Sequence, residues 1–274
     1  MKYSKNKIFK AVAVVALLVT VFLSLSKFHD TRCNVVSITI KDSADVKFVD
    51  VNDVRTMLNS VMGEIEGHTM DSINTYLFDE QLRKCPYIRN VSIYKSITGI
   101  LNIDIQQRKP ILLVLNDKQD YYIDSDGMIF AASDKDACQC IVVNGHVKDK
   151  YDFTGDKIYK ADPYAEGSQS GELFKLAQLI QDDDYWSDQV VQIFINQLGE
   201  YEIVPMVGNF VLSIGSIEDY DKKMYTLKQF FFKALPKLGW NTYQQISVKY
   251  NNQIVCKRRK EIKNNKYRVI RYVK

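Results

Sequence analysis

The chain has 274 residues, 46% of them hydrophobic and 26% charged, with a formal net charge of +4. Its 17 Tyr and 13 Phe outnumber 12 Gly and 5 Pro, and no low-complexity tract occurs, which excludes a disordered stalk. The length exceeds one small module and suits two domains of about 100–150 residues.

The charge is unevenly distributed. Lys2, Lys5, Lys7 and Lys10 give residues 1–10 a charge of +4 with no acid among them. Residues 257–274 carry nine Lys or Arg and one Glu, so +8, and the part between must hold −8 for the whole to reach +4. Behind the first lysines runs an apolar stretch from Ile8 to Leu25, interrupted by Lys10, Thr20 and Ser24. Its 18 residues, at about 1.5 Å each, would span roughly 27 Å, enough for a bilayer core, and Lys10 can snorkel to the headgroups. Retained lysines mark the inner side. The expected layout is a cytoplasmic tail over 1–10, a single-pass signal anchor over 11–27 in the inner membrane, and the remainder in the periplasm. A cleaved signal peptide, with Ser24-Leu25-Ser26 as its small-x-small site, is the rival. An exported body excludes ordinary use of ATP or GTP and favours binding at the cell envelope.

In chain order, Val35–Ile40 alternates as a strand. Asp50 precedes a helical pattern of Val54, Met57, Leu58 and Val61, stopped by Gly63. A second helix is expected to open at Asp71, with Ile73, Tyr76, Leu77 and Leu82 on one face, and to end before Pro86. Val91 and Ile93, then Leu101, Ile103 and Ile105 after Thr98-Gly99, form two further strands. Two helices on one face of a three-stranded sheet, in the order β-α-α-β-β, follow from this pattern, with an edge strand left open.

From Pro110 the pattern becomes mainly β. Strands are expected at Ile111–Leu115, Tyr121–Asp124, Met128–Phe130, Val190–Ile195, Tyr201–Pro205, Phe210–Ile214, Ile246–Tyr250 and Gln253–Cys256. Helices are expected near Glu172–Gln181 and over Tyr220–Ala234, the latter with Met224, Leu227, Phe231 and Leu235 on one stripe. Asp124-x-Asp126-Gly127 has part of a calcium-loop pattern, but Tyr122 and Ser133 stand where oxygen ligands are required, so a hairpin turn is the better reading.

The five cysteines, Cys33, Cys85, Cys138, Cys140 and Cys256, show no metal spacing, and the three histidines are scattered. They read as core or incidental residues, with room for one disulfide. Neither a nucleophile motif nor a glycine-rich phosphate loop occurs. A non-enzymatic protein without metal or cofactor is therefore expected. A basic tail can signal nucleic acid in general, but for an exported chain anionic lipid or acidic wall polymer is the fitting partner, and a solvated terminus the plain alternative. No nucleic-acid partner is expected.

Three stretches, in order behind the anchor, carry a resemblance. The first is Leu82-Arg83-Lys84-Cys85-Pro86-Tyr87-Ile88-Arg89-Asn90-Val91-Ser92-Ile93 with Gly99-Ile100-Leu101-Asn102-Ile103. The second is Gln107-Arg108-Lys109-Pro110-Ile111 with Tyr122-Ile123-Asp124-Ser125-Asp126-Gly127-Met128-Ile129-Phe130. The third is Ile246-Ser247-Val248-Lys249-Tyr250-Asn251-Asn252-Gln253-Ile254-Val255-Cys256. Together they resemble the bacterial cell-division family FtsQ/DivIB. Gln107 departs from it, standing where the family usually has Glu, residues 137–169 match loosely, and the basic tail is not a hallmark.

The resemblance implies an α+β protein: a transmembrane helix, a POTRA domain over 33–109, a mostly antiparallel β domain with flanking helices over 110–256, and the basic tail 257–274. It implies a non-catalytic divisome scaffold that binds FtsB-like and FtsL-like proteins at the septum. Through them it would help regulate septal peptidoglycan synthesis by FtsW and its transpeptidase. Carried over residue by residue, the closing strand puts partner contacts on Tyr250, with Val248, Asn252 and Val255 beside it. The POTRA edge would offer Val91, Ile93 and Tyr94. Against this, Tyr250 could be an ordinary strand tyrosine packed on the Tyr220–Ala234 helix. The alternative function is a POTRA-containing component of protein export or outer-membrane assembly, though the last hundred residues lack the regular strands of a membrane barrel.

Overall fold

The computed structural model describes residues 9–10, 12–22, 31–41, 46–136, 138–250, 252–259 and 268–270. Residues 9–10 and 12–22 are helical, and their large apolar side chains are exposed, Phe9 by 75% and Phe22 by 71%. Among the described residues no helix is long and apolar enough to cross a membrane. The rest of the expected anchor, residues 11 and 23–27, lies outside the described residues. Beyond this segment the chain divides into two units, at Arg108 and Lys109.

In the first unit, helix α1 (Val51–Met62) starts where Asp50 can cap it. The Asp50 carboxylate accepts from the N–H groups of Asn52 (2.7 Å) and Asp53 (2.9 Å), and the Asp53 carboxylate accepts from the N–H of Asp50 (2.9 Å). Three backbone donors are satisfied by two side chains, a capping box built from aspartates. Asp50→Ala is expected to cost about 1 kcal/mol, read from the urea midpoint at unchanged slope. Val54 and Leu58 are the buried stripe of α1, and Gly63 ends it with a positive φ of 79°.

Helix α2 (Thr75–Arg83) departs from the expectation. The cap is Asn74, whose side chain accepts from the N–H of Tyr76 at 3.0 Å, so Asp71 lies in the preceding turn and Ile73 is buried ahead of the helix. That start rotates the stripe: Phe78 and Leu82 face inward, while Tyr76 and Leu77 face solvent.

The sheet of this unit has the order β1-β3-β2, with β1 (Val35–Lys41) parallel and β2 (Ile88–Lys95) antiparallel to the central β3 (Ile100–Gln107). Leu101, Ile103 and Ile105 of β3 are fully buried, as period-two alternation requires of a one-sided sheet. At the end of β3 the amide of Gln107 is buried and reaches back to the segment before α1. Its Nε2 donates to the carbonyl of Val46 (2.8 Å), and its Oε1 accepts from the N–H of Val49 (2.9 Å).

The second unit contains β4 (Pro110–Val114), β5 (Tyr121–Asp124), β6 (Met128–Ala131), β7 (Ile141–Gly145), β8 (Tyr159–Lys160), α3 (Gln169–Gln181), α4 (Trp186–Gln189) and β9 (Val190–Ile195). These are followed by β10 (Tyr201–Pro205), β11 (Val211–Gly215), α5 (Tyr220–Lys233), α6 (Leu235–Leu238), β12 (Tyr243–Ser247), β13 (Ile254–Arg258) and β14 (Arg268–Ile270). All eleven strands join one sheet of order β14-β13-β12-β11-β10-β9-β7-β4-β5-β6-β8. Most pairings are antiparallel, but β7 runs parallel to β4 and β9, and β12 parallel to β11. Strands β7, β8 and β14 are additions to the expected set.

One face of this sheet is covered. Leu173, Phe174, Leu176, Ala177 and Ile180 of α3, and Met224, Leu227, Phe230 and Phe231 of α5, share a core with the inward residues of the strands. Polar bonds fix the start of α3: the Ser168 hydroxyl accepts from the N–H of Gly171 (3.1 Å), and the Asp149 carboxylate from the N–H of Ser170 (2.7 Å). The Tyr201 hydroxyl donates to the Glu172 carboxylate at 2.6 Å, and burial together with that carboxylate pushes the Tyr201 pKa up. The Asp124 carboxylate makes the β5–β6 turn, accepting from the N–H groups of Asp126 (2.9 Å) and Met128 (2.8 Å), with Gly127 at a φ of 76°. That is the hairpin reading of the sequence.

Candidate partner-binding edge

The third stretch singled out in the sequence folds into β12, a turn, and β13. Ile246 opposes Cys256 and Ser247 opposes Val255, so the pair is in register up to the turn. Ile254 and Cys256 point into the core, and burial pushes the Cys256 thiol up to about 12. Val255, between them, is half-buried and lies on the opposite face of the sheet. All five cysteines are free thiols.

Val248 is buried, and its N–H donates to the carbonyl of Ser213 at 3.0 Å, extending the β11–β12 pairing by one step. It is a structural residue of the turn and presents little side chain to a partner. Tyr250 is not in a strand; it sits in the turn, 51% exposed. The strand expected over Ile246–Tyr250 stops at Ser247 because the chain must reverse before β13. Asn252 takes the left-handed conformation that closes this reversal, with φ 60°.

Lys249 anchors the turn. Its ammonium pairs with the carboxylate of Glu200, beside β10, and lies 5.9 Å from the centre of the Tyr250 ring, within cation–π range. Lys249 holds the Glu200 carboxyl below its ordinary range, and Glu200 raises the Lys249 ammonium. Neither Lys249 nor Glu200 was singled out by sequence reasoning, because their pairing is set by the tertiary fold. On the open face of the sheet, the Gln245 amide donates to the Ser213 hydroxyl (2.7 Å), which donates to the Glu202 carboxylate (3.2 Å). These cross-strand bonds tie β12 to β11 and β10.

At the far side of β13 stands β14, an element from the basic tail. Lys257 and Arg258 extend β13 itself. A signal for β14 was present in the run Tyr267-Arg268-Val269-Ile270-Arg271-Tyr272-Val273, rich in β-formers, but the density of charge hid it.

In the first unit, β2 pairs with β3 and with no other described strand, so its outer edge is open among the described residues. Val91 is buried in the core of that unit, Ile93 is half-buried, and Tyr94 is 51% exposed. Of the three residues expected at this edge, Tyr94 alone presents most of its side chain to solvent.

Comparison with known proteins agrees with this layout. Residues 31–106 match the POTRA-like domain, and residues 109–257 match the family described as FtsQ/DivIB, C-terminal related. The chain is 21% identical over 215 residues to a protein named cell division protein FtsQ from Geotalea daltonii, covering 77% of this chain and 74% of that protein. A POTRA-like domain joined to this C-terminal domain defines a two-domain cell-division protein. The chain belongs to the FtsQ/DivIB family. The export and outer-membrane assembly reading gives way to cell division on this ground.

Proposed function

We propose that the protein is a membrane-anchored, non-catalytic divisome scaffold that receives FtsB-like and FtsL-like partners on its terminal β strands. By holding them at the septum it helps regulate peptidoglycan synthesis by FtsW and the septal transpeptidase. The observation that carries this reading is the geometry of β13: a strand fixed by its inward side chains, next to last in its sheet, with an exposed aromatic in the turn before it. A partner segment adding to β13 gains main-chain hydrogen bonds. Tyr250 beside it supplies a rigid aromatic contact of the kind favoured at interface centres. Asn252 shapes the turn, and Val255 offers a half-buried methyl surface on the open face.

The apolar, exposed side chains of residues 12–22 support the anchor, with residues 1–10 cytoplasmic and the two folded units in the periplasm. The outer edge of β2, with Tyr94, is a second recruitment surface in this proposal.

Tyr250→Glu is expected to reduce co-purification of the FtsB-like protein at least tenfold, the loss of an anchor worth about 1.4 kcal/mol or more. Unchanged folding and undiminished yield of the partner would remove Tyr250 from the interface. Depletion of the protein is expected to give filaments with blocked septa; normal septation with loss of outer-membrane proteins would overturn the scaffold reading.

A further inference from the structure

We propose that the outer edge of β13 is a strand-accepting surface for which the chain carries its own occupant, and that β14 must leave before a partner can bind there. The proposal rests on the reading of β13 given above. β14 runs antiparallel to β13, with Ile254 opposite Ile270, Val255 opposite Val269 and Cys256 opposite Arg268. β12 occupies the other side of β13. The main-chain groups that a partner strand would use are therefore the ones that face β14.

Three features make this cap displaceable. Among the described residues it pairs over three positions, against five-residue strands in β12 and β13. A strand this short contributes few backbone bonds, each of modest net value in water. It belongs to a tail of charge +8, a count that includes Lys257 and Arg258 at the end of β13 itself, so docking β14 concentrates positive charge at this edge. Finally, β13 does not depend on it: Ile254 and Cys256 are 1% and 0% exposed and hold the strand in the core.

An uncapped sheet edge invites wrong pairing, and a short cationic strand of the same chain covers it at little cost. The displacing partner follows from the same chemistry. It is an extended peptide segment that runs the full length of β13 and bears acidic side chains toward Lys257 and Arg258. Its apparent affinity is lowered by the fraction of chains in which β14 is docked.

The test uses the full chain in detergent, as wild type, as Val269→Pro and as a truncation after Arg259. Proline removes a backbone donor and cannot sit in a paired strand, leaving β13 untouched. Amide exchange across residues 254–258 is expected to accelerate about tenfold or more in both variants. Exchange equal to wild type would show that β14 does not cap β13 and would overturn the proposal. The periplasmic domain of the FtsB-like protein from the same cell is then titrated onto all three. Both variants are expected to bind it roughly tenfold more tightly than wild type. Faster exchange with equal affinity would overturn the competition. Faster exchange with no binding by any of the three would sink the partner reading of β13 and leave β14 as its cap.

Discussion

Gln107→Leu is expected to destabilise the first unit by about 3 kcal/mol, since two buried backbone groups lose their partner at about 1–3 kcal/mol each. The Gln107 amide is 1% exposed, and it is held between a donor and an acceptor: the N–H of Val49 and the carbonyl of Val46. The amide carries both a donor and an acceptor and so satisfies both at any pH, and the bonds fix which way it points. Gln107→Glu separates the two bonds. The carboxylate keeps the acceptor for Val49 but turns a negative oxygen toward the Val46 carbonyl, so in the folded state the group favours its protonated form, which can donate. Its folded pKa is therefore raised above the ordinary value near 4.3. The folded chain then binds more protons than the unfolded chain between the two pKa values, and stability falls as pH rises through that window. Urea unfolding of Gln107→Glu should approach wild type below about pH 4 and diverge from it toward neutrality. A pH-independent difference between the two proteins would refute this account. The position is the one at which the sequence departs from the family resemblance, and in this chain the neighbour there is a carbonyl.

The parts of the fold visible in the sequence were those governed by local rules. The Asp50 cap, Gly63, the alternation of Leu101, Ile103 and Ile105, the Asp124–Gly127 turn and the stripe of α5 each depend on neighbours a few residues away. The errors occurred where tertiary structure decides. Asp71 and Asn74 are both plausible caps, and burial of Phe78 selected Asn74. Tyr250 continues an apolar-polar alternation, yet the return to β13 takes it out of the strand. β7 is short and flanked by loops, and its two parallel partners are remote in sequence, so its periodicity alone carried little signal. The ion pair of Lys249 with Glu200 and the pairing of β14 are long-range choices of the same kind.

Phe231→Ala should produce the largest loss in the second unit, about 4 kcal/mol, lowering its thermal midpoint by roughly 10 °C. Phe231 is 1% exposed and its ring meets four other aromatics: Trp186 at 5.3 Å, Phe210 and Trp240 at 5.6 Å, and Tyr185 at 6.5 Å. All four contacts are edge-to-face, and three of the neighbours are fixed by their own elements: Trp186 opens α4, Phe210 precedes β11 and Trp240 precedes β12. Truncation leaves a cavity that these rings cannot all collapse into, because each is held from a different direction. Phe231→Leu keeps most of the volume and should cost only about 1–2 kcal/mol. The consequence for function follows from the residue before it. The ring of Phe230 lies 6.4 Å from that of Tyr243 in β12, and β12 positions β13 through Ile246 opposite Cys256. A loosened α5 therefore loosens the strand pair on which the partner is proposed to dock. Phe231→Ala should weaken FtsB-like binding even at temperatures where the domain remains folded, while Asp50→Ala, which acts on the first unit, should leave that affinity unchanged. Near-UV circular dichroism for the packing and titration of the partner for the affinity separate the two effects. Full affinity in a Phe231→Ala protein with lost near-UV signal would show that the β12–β13 pair holds its geometry without support from α5.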